Sequence, residues 1–511
     1  MSKSRRQKSD NRKARIERRL DGQLLEHRSE PMFSASNIHY DVAERSRGLV
    51  AGGIGVVHQL VCKVGLVKAI DEKLELLKVH MPYFESDHVL SIAYNVMVGG
   101  RCLEDIELRR NDEVFLDALG AERIPDPTTA GDFCRRFGGQ DVDDLMDAFN
   151  ISRTRVWQEQ PDEFFDQAII DVDGTLAETL GECKQGTDFA YDGTFGYQML
   201  VVSLANTQEP LFLENHGANR PSHEGAVARL DQAIDLCEGA GFRKILLRGD
   251  SAYSQCAYLD GWDARGVQFL FGLPHSKPLY QLAGDLPETA WETLERPDKY
   301  EVETKPRSRP ENVKEKVVKE RGFTNIRLDE EMVAEFDYQP GACAKAYRVI
   351  ALRKNLTIAK GEEALIDDIK MFFFITNDRE SSAADLVLSA NQRCNQENLC
   401  SHLKSGVHAL NMPLGDLNSN WAYSVMAGLA WSLKAWYALL LRAEGRWKER
   451  HAKEKDEVLR MEFRTFLNLF MLVPCQIVKT GRRIVYRLLS WNRWQRVFLR
   501  AATHVTCPLR C

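Results

Sequence analysis

Three short stretches of the 511-residue chain carry residue types able to do chemistry. The first is Asp171-Val172-Asp173-Gly174-Thr175, at the end of the apolar run QAIIDVDG (167–174). Side chains alternate along a strand, so Asp171 and Asp173 share one face while Ile170 and Val172 share the other. Two carboxylates in such company are costly unless a cation or a donor meets them. The blander reading has one capping the next turn and the other solvated. The second stretch is KILLRGD (244–250), closed by Asp250, a position where a turn residue is also common. The third is RCNQENLCSHLKSGVH, in which Arg393, Glu397 and Lys404 are separated by four and seven residues. On a continuous helix they fall within about 40° of one another, and His408 extends the stripe. In isolation a solvated face with an Arg–Glu pair would look the same; the two Asp-ended strands before it give the stripe its weight. Three carboxylates on two strands and one helix suit phosphodiester chemistry. Hard cations take oxygen ligands, and two Mg²⁺ ions can serve the attacking and the leaving oxygen. Basic neighbours would hold the phosphates.

Such residues need a sheet and a helix to position them. QAIIDVDG, YQMLVVSLAN (197–206) and EPLFLENHG (209–217) read as an antiparallel meander. A helix follows, SHEGAVARLDQAIDLCEGAG, closed by Gly239 and Gly241. Then come the buried strand KILLRGD, a helix over Ala252–Arg265 and the strand VQFLFGLP (267–274). This βββαβαβ order is compatible with a ribonuclease-H-like core. Pro- and charge-rich text interrupts it over 275–370, with alternating strands such as YRVIALRK (347–354), before the core resumes at MFFFITND (371–378). One long helix is expected from Ala383 to about Leu410. The run Trp421–Leu441 has the length of a membrane span, but its lone Lys434 and its flanks favour a buried core helix.

The expected fold class is therefore α/β: a ribonuclease-H-like core with a β-rich insertion, a helical N-terminal domain and a helical, basic C-terminal region. The boundaries read as a basic flexible arm over 1–47, a helical domain over 48–157 that begins the folded chain, the first part of the core over 158–274, the insertion over 275–370, the second part of the core over 371–441 and the basic tail over 442–511. Within the helical domain, Asp126-Pro127-Thr128-Thr129 is a helix start. Gln158–Glu163 reads as a linker.

Net charge is −6, which alone argues against a polyanion partner. Its distribution reverses that. Residues 1–20 carry nine Lys and Arg against two acids, residues 441–511 carry sixteen against six, and no acid follows Glu462. The middle is left with a net −23, so basic ends surround an acidic core, a layout that suits nucleic acid. The twelve cysteines include no CxxC, and Cys507 and Cys511 have no second ligand pair, so reduced thiols of a cytosolic protein are expected. The polar N-terminus has no apolar stretch of the kind a secretory signal needs.

The sequence resembles bacterial insertion-sequence transposases of the DDE type, in the group marked by a Tyr-x2-Arg-x3-Glu-x6-Lys helix. Arg393-x3-Glu397-x6-Lys404 has that spacing, with Ala390 at the Tyr position. Asp173-Gly174-Thr175 is similar to the first-Asp motif and Asp250-Ser251 to the second. The 146 residues between Asp250 and Glu397 leave room for an insertion domain. The resemblance implies that Asp173, Asp250 and Glu397 are catalytic and bind two Mg²⁺ ions, with Mn²⁺ as a substitute and Asp171 as an auxiliary ligand. It implies DNA contacts from Arg393 and Lys404, and the basic tail adds Arg482 and Arg483. Implied partners are double-stranded DNA, as terminal inverted repeats and target, and a second copy of the chain in a dimer or larger complex. No membrane is implied; the expected location is the bacterial cytoplasm, on the nucleoid, and the 48–157 domain is expected to bind the element's ends.

Two other readings use the same residues. IIDVDGTLAETL also resembles the first motif of haloacid-dehalogenase-like phosphatases, with Asp171 as nucleophile, and Gly249-Asp250-Ser251 echoes their metal motif. Ser254 stands where that motif wants a second acid, and the Arg393/Glu397/Lys404 stripe has no part in it. The other reading is a transposase-derived DNA-binding protein that no longer cuts. Retention of all three carboxylates gives it no support.

Overall fold

The computed structural model describes residues 3–20, 35, 38–40, 46–297, 316–317, 320–322, 324–360, 363–481 and 483–507. Its centre is a large mixed sheet. The strands are β1 (Ala168–Glu178), β2 (Phe195–Leu204), β3 (Glu209–Gly217), β4 (Ile245–Gly249), β5 (Gln268–Leu273), β6 (Thr324–Tyr338), β7 (Tyr347–Lys360) and β8 (Glu363–Thr376). They lie in the order β3-β2-β1-β4-β5-β8-β7-β6. The first three form an antiparallel meander. β1, β4 and β5 run parallel, and β8 returns antiparallel to β5. This mixed sheet is consistent with the ribonuclease-H-like core expected from the sequence. The parallel centre is built from runs such as Ile245–Leu247 and Phe269–Phe271 because helices cover both faces, so neither face tolerates polar alternation.

The insertion differs from the expected separate block. β8 is one strand that crosses the boundary drawn at 370/371. Its C-terminal part, Phe373–Thr376, pairs with Leu270–Leu273 of β5, while its whole length pairs with β7. β6, β7 and β8 therefore extend the core sheet, and the short strand Glu292–Thr293 adds to the edge of β6. Most of KPRSRPENVKEKVVKERG lies outside the described residues.

The helices that matter to the argument are α1 (Lys3–Leu20), α2 (Ile54–Lys63), α3 (Leu66–Lys73), α4 (Glu85–Met97), α5 (Pro127–Cys134), α6 (Gly139–Trp157), α7 (Ala226–Ala240), α8 (Ala383–Gln392), α9 (Cys394–Ser401), α10 (Leu417–Leu439), α11 (Lys448–Arg460) and α12 (Gln495–Val505). Asp126 caps α5 through Thr129 N–H, with Pro127 in the first turn. Gly241, at φ +104°, closes α7 in the left-handed conformation that glycine adopts without cost. α10 is buried all round, including Trp431 and Trp436, and this explains its unbroken apolar text. Its Lys434 donates to the Leu459 carbonyl at 2.7 Å with its ammonium 4.0 Å from the Trp431 ring centre. Burial lowers that ammonium to about 7. No helix among the described residues is long and apolar enough to cross a membrane.

The helical region shares its core with the sheet. One apolar core runs continuously from Leu49 to Val505. A buried polar hub ties its last helix to the sheet: Glu209, at the start of β3, accepts from Arg153 Nε (3.0 Å), Trp157 Nε1 (3.1 Å) and Trp436 Nε1 (2.6 Å). The stretch read as a linker is likewise anchored, with the Gln160 amide donating to the Val156 and Leu439 carbonyls.

The expected basic arm and basic helical C-terminal region meet each other in the described residues. Residues 3–20 form α1, which lies on the C-terminal segment. Arg12 donates to the Leu488 carbonyl at 2.8 Å, and Ser9 donates to Gln495 at 2.6 Å. The tail folds as strands β9 (Cys475–Thr480) and β10 (Arg483–Leu488) plus α12, and Gly48–Leu49 pairs with β9. The two basic ends, far apart in sequence, form one body. Most of residues 21–45 lies outside the described residues.

Candidate active site

Parallel pairing of Val172 with Gly249 places Asp173 and Asp250 one residue beyond it on neighbouring strands β1 and β4. Asp250 caps the turn that follows, accepting Ala252 N–H on Oδ1 at 2.8 Å. Close packing fixes that turn. A Cβ on Gly272 of β5 would lie 2.8 Å from Ser251 N, and one on Gly249 would lie 2.9 Å from Tyr253 Cβ. Tyr253 is buried and its hydroxyl donates to the Ser222 carbonyl at 3.1 Å. A Cβ on Gly174 would meet that hydroxyl at 2.7 Å, so the glycine after Asp173 leaves room for the tyrosine three residues after Asp250. Tyr253 was not singled out from the sequence; its only signal was this spacing behind a strand-end aspartate.

Asp173 accepts Gly174 N–H at 2.8 Å and pairs with Arg393 Nη1 at 3.3 Å. Its carboxyl is pushed up to about 6, first by burial; Asp250 and Glu397 add to the rise, while Arg393 and Gly174 N–H oppose it. Glu397 is exposed on α9, within electrostatic reach of Asp173. The residue before it anchors the helix: buried Gln396 donates to the Val201 carbonyl of β2 at 3.0 Å and accepts from Ser203. Gln396 too escaped the sequence reading, since a glutamine beside a glutamate on a polar helix carries no signal. Cys400 lies among Asp173, Arg393, Glu397 and Lys404, and burial pushes its thiol up to about 12, which leaves it unreactive.

At three places the local arrangement differs from the expected one. The single helix from Ala383 to Leu410 is interrupted: α8 ends at Gln392, α9 begins at Cys394, and His402–Gly406 form a π-turn. An i→i+5 turn does not advance 100° per residue, so Lys404 is not placed by the stripe arithmetic. His408 lies beyond the helix at φ +55°, beside Arg101 and Asp105, and does not extend the stripe. Asp171, expected as an auxiliary metal ligand, is committed to another partner in this arrangement. Its side chain is 1% exposed and both oxygens are taken by Arg248, Nε at 2.7 Å and Nη2 at 2.9 Å. Arg248 Nη1 continues to the Ser389 carbonyl of α8 at 2.8 Å. Of the tail arginines, Arg483 is exposed at the start of β10, and Arg482 lies outside the described residues.

The donors around Asp173 are oxygen donors of the kind that hard divalent cations take, and a cation would offset the burial that Arg393 offsets only in part. They do not converge in this arrangement. Among the described residues, no three His, Cys, Asp or Glu side chains are grouped so as to hold an ion, and Arg393 is the cation on Asp173.

This electrostatic burden predicts a pH effect. A carboxyl raised above its ordinary 3.8 costs stability when it ionises. The cost is absent below about pH 4, grows toward pH 6 and is complete above it. Asp173→Asn, measured without divalent cations, should therefore stabilise the fold at pH 7.5 by on the order of 2 kcal/mol and leave it unchanged at pH 4. Melting curves at both pH values, with no difference between the proteins at either, would contradict the burden.

A family model described as transposase DDE domain group 1 matches residues 49–507. Among solved structures, the cryo-EM synaptic complex of piggyBac transposase with hairpin DNA is 12% identical, covers 83% of this chain and 80% of that chain, and has a TM-score of 0.36. No curated protein matches the chain.

Proposed function

The chain belongs to the transposase DDE domain group 1 family, and from that premise we propose that it cuts the phosphodiester at each end of its own mobile element and joins the freed 3′-hydroxyls to target DNA. The observation that carries the reading is Asp173, a half-buried strand-end carboxyl pushed up to about 6, first by burial, with Asp250 and Glu397 adding to the rise. Asp173, Asp250 and Glu397 would hold Mg²⁺, or Mn²⁺ in its place. Such ions, when bound, would supply activation of the attacking oxygen and stabilisation of the leaving one. The chain's own residues do the positioning. Ala252 N–H orients Asp250, Gln396 fixes the helix that presents Glu397, and Arg393 exchanges Asp173 for a DNA phosphate. Lys404, exposed on the π-turn, offers a second phosphate contact. The spacing of Arg393, Glu397 and Lys404 supports membership of the bacterial group with the Tyr-Arg-Glu-Lys helix. Ala390, at the Tyr position, packs against the apolar cluster of Leu270, Leu386 and Val387 and brings no polar group to DNA.

The phosphatase reading loses its nucleophile, because both oxygens of Asp171 are bound by Arg248. The transposase reading is tested by the nucleotides on either side of the gene. Short terminal inverted repeats bounded by a target duplication are expected; copies whose flanks share no repeat would contradict it.

The basic body formed by α1 and the tail is the proposed grip on duplex DNA, since a −23 middle cannot hold a polyanion unaided. Neutralising phosphates releases counterions, with a slope of log K on log salt of about 0.9 per duplex phosphate. Residues 1–20 carry nine basic side chains. If half touch DNA, deleting them should flatten the slope by about four, equally for end DNA and unrelated DNA. An unchanged slope in a salt titration would place the grip elsewhere.

A further inference from the structure

A second basic site lies away from the carboxylates, on α1, α11, α12 and the turn Gly445–Trp447. These elements enclose a cleft of about 680 Å³, within the roughly 300–1,000 Å³ typical of ligand pockets. Five arginines line it: Arg6, Arg446, Arg450, Arg496 and Arg500. Glu454 is the acid in the lining, and it bridges Arg450 Nε and Arg500 Nη1, each at 2.8 Å. Asp10 is farther from its cations, 3.7 Å from Arg496 and 3.9 Å from Arg6. Glu454 and Asp10, with Glu444 near His504, are fewer than the five guanidinium groups and leave the cleft positive, and Nε and Nη2 of Arg500 are buried without a hydrogen-bond partner. Trp447 stands in the same lining with 53% of its surface exposed, the Arg446 guanidinium 5.0 Å from its ring centre.

An exposed indole beside several guanidinium groups is the equipment of a single-strand site: a stacking platform for a base and cations for the phosphates that flank it. A base inside a duplex has both faces covered by its neighbours and cannot use the indole. Resting on the transposase reading above, we propose that this cleft holds an unpaired nucleotide of a DNA strand, its base stacked on Trp447 and its phosphates on Arg450 and Arg496. No lining residue comes from β1, β4 or α9, so the cleft is a binding site and takes no part in the chemistry at Asp173.

The test uses the full chain, with fluorescence anisotropy of a labelled oligothymidylate of about 12 nucleotides, a length within the site sizes of single-strand binders, and of a duplex of the same length. Trp447→Ala should weaken single-strand binding about tenfold or more, as loss of a base–aromatic stack does. Duplex affinity should fall by much less, a wild-type melting curve should show that the variant is folded, and Trp447→Phe should keep most of the single-strand affinity. Arg450→Gln with Arg496→Gln should flatten the single-strand salt slope by about 1.4, at roughly 0.7 per phosphate. Trp447→Ala binding the single strand like the wild type would overturn the proposal. So would displacement of the strand by an acidic peptide or a free mononucleotide at equal concentration. Wild-type protein that binds and cuts duplex DNA while Trp447→Ala is silent would remove the cleft alone; protein that binds neither DNA would remove the transposase reading with it.

Discussion

Asp171→Asn is expected to destabilise the fold by about 3–5 kcal/mol, the usual effect of breaking a buried ion pair from one side. Asp171 and Arg248 face each other across β1 and β4, with side chains 1% and 3% exposed. The carboxylate takes two guanidinium bonds, so an asparagine leaves a buried charge half-satisfied and replaces an acceptor with a donor. The same guanidinium reaches the Ser389 carbonyl, so α8 loosens as well. Replacing both partners with apolar residues of similar volume should recover much of the loss, because the desolvation cost disappears with the pair. Urea unfolding of the two single variants and the double variant measures this. The folded fraction of Asp171→Asn should still cut DNA. A variant with wild-type stability and no turnover would return Asp171 to the chemistry and favour the phosphatase reading.

Asp173→Asn, Asp250→Asn and Glu397→Gln should each lower DNA cleavage by a factor of at least about 10³, equivalent to roughly 4 kcal/mol of barrier. Each replacement keeps the size of the side chain and removes a negative oxygen from the proposed cation site, where hard anionic ligands would be needed. The three should behave alike because loss of any one donor would leave the proposed two-ion arrangement incomplete. Binding of end DNA should survive, since the proposed grip lies on α1 and the tail. In Asp173→Asn the loss of cleavage should accompany the gain in stability at neutral pH, the signature of a residue kept for function at the expense of the fold. If DNA binding disappears with cleavage, the carboxylates are structural.

The core strands were legible because burial on both faces writes them as unbroken apolar runs, and Asp173 and Asp250 stood out as charges at the ends of such runs. Two things hid the true status of Asp171. Alternation puts it on the same face as Asp173, and its partner Arg248 lies 77 residues away in sequence, on a strand whose pairing register only the folded sheet reveals. The interruption of the helix at Arg393 and the π-turn at Lys404 were invisible, since RCNQENLCSHLKSG contains no proline and its one glycine falls at the end. Composition separated the basic ends from the acidic middle, but it could not show that Ser9 and Arg12 meet Gln495 and Leu488. The continuity of the insertion with the core sheet was missed for a similar reason: β8 is apolar where it pairs with β5 and charged farther out in the hairpin, so one strand read as two.

The most direct measurement is strand cleavage by the purified full-length chain on a duplex carrying the nucleotides that flank its gene. With Mg²⁺ or Mn²⁺, breaks leaving 3′-hydroxyls should appear at the element's two ends, and the Asp173→Asn protein should bind the same duplex without breaking it. Wild-type protein that binds those ends and leaves both strands intact with either ion would contradict the assignment of Asp173, Asp250 and Glu397 as a transposase active site.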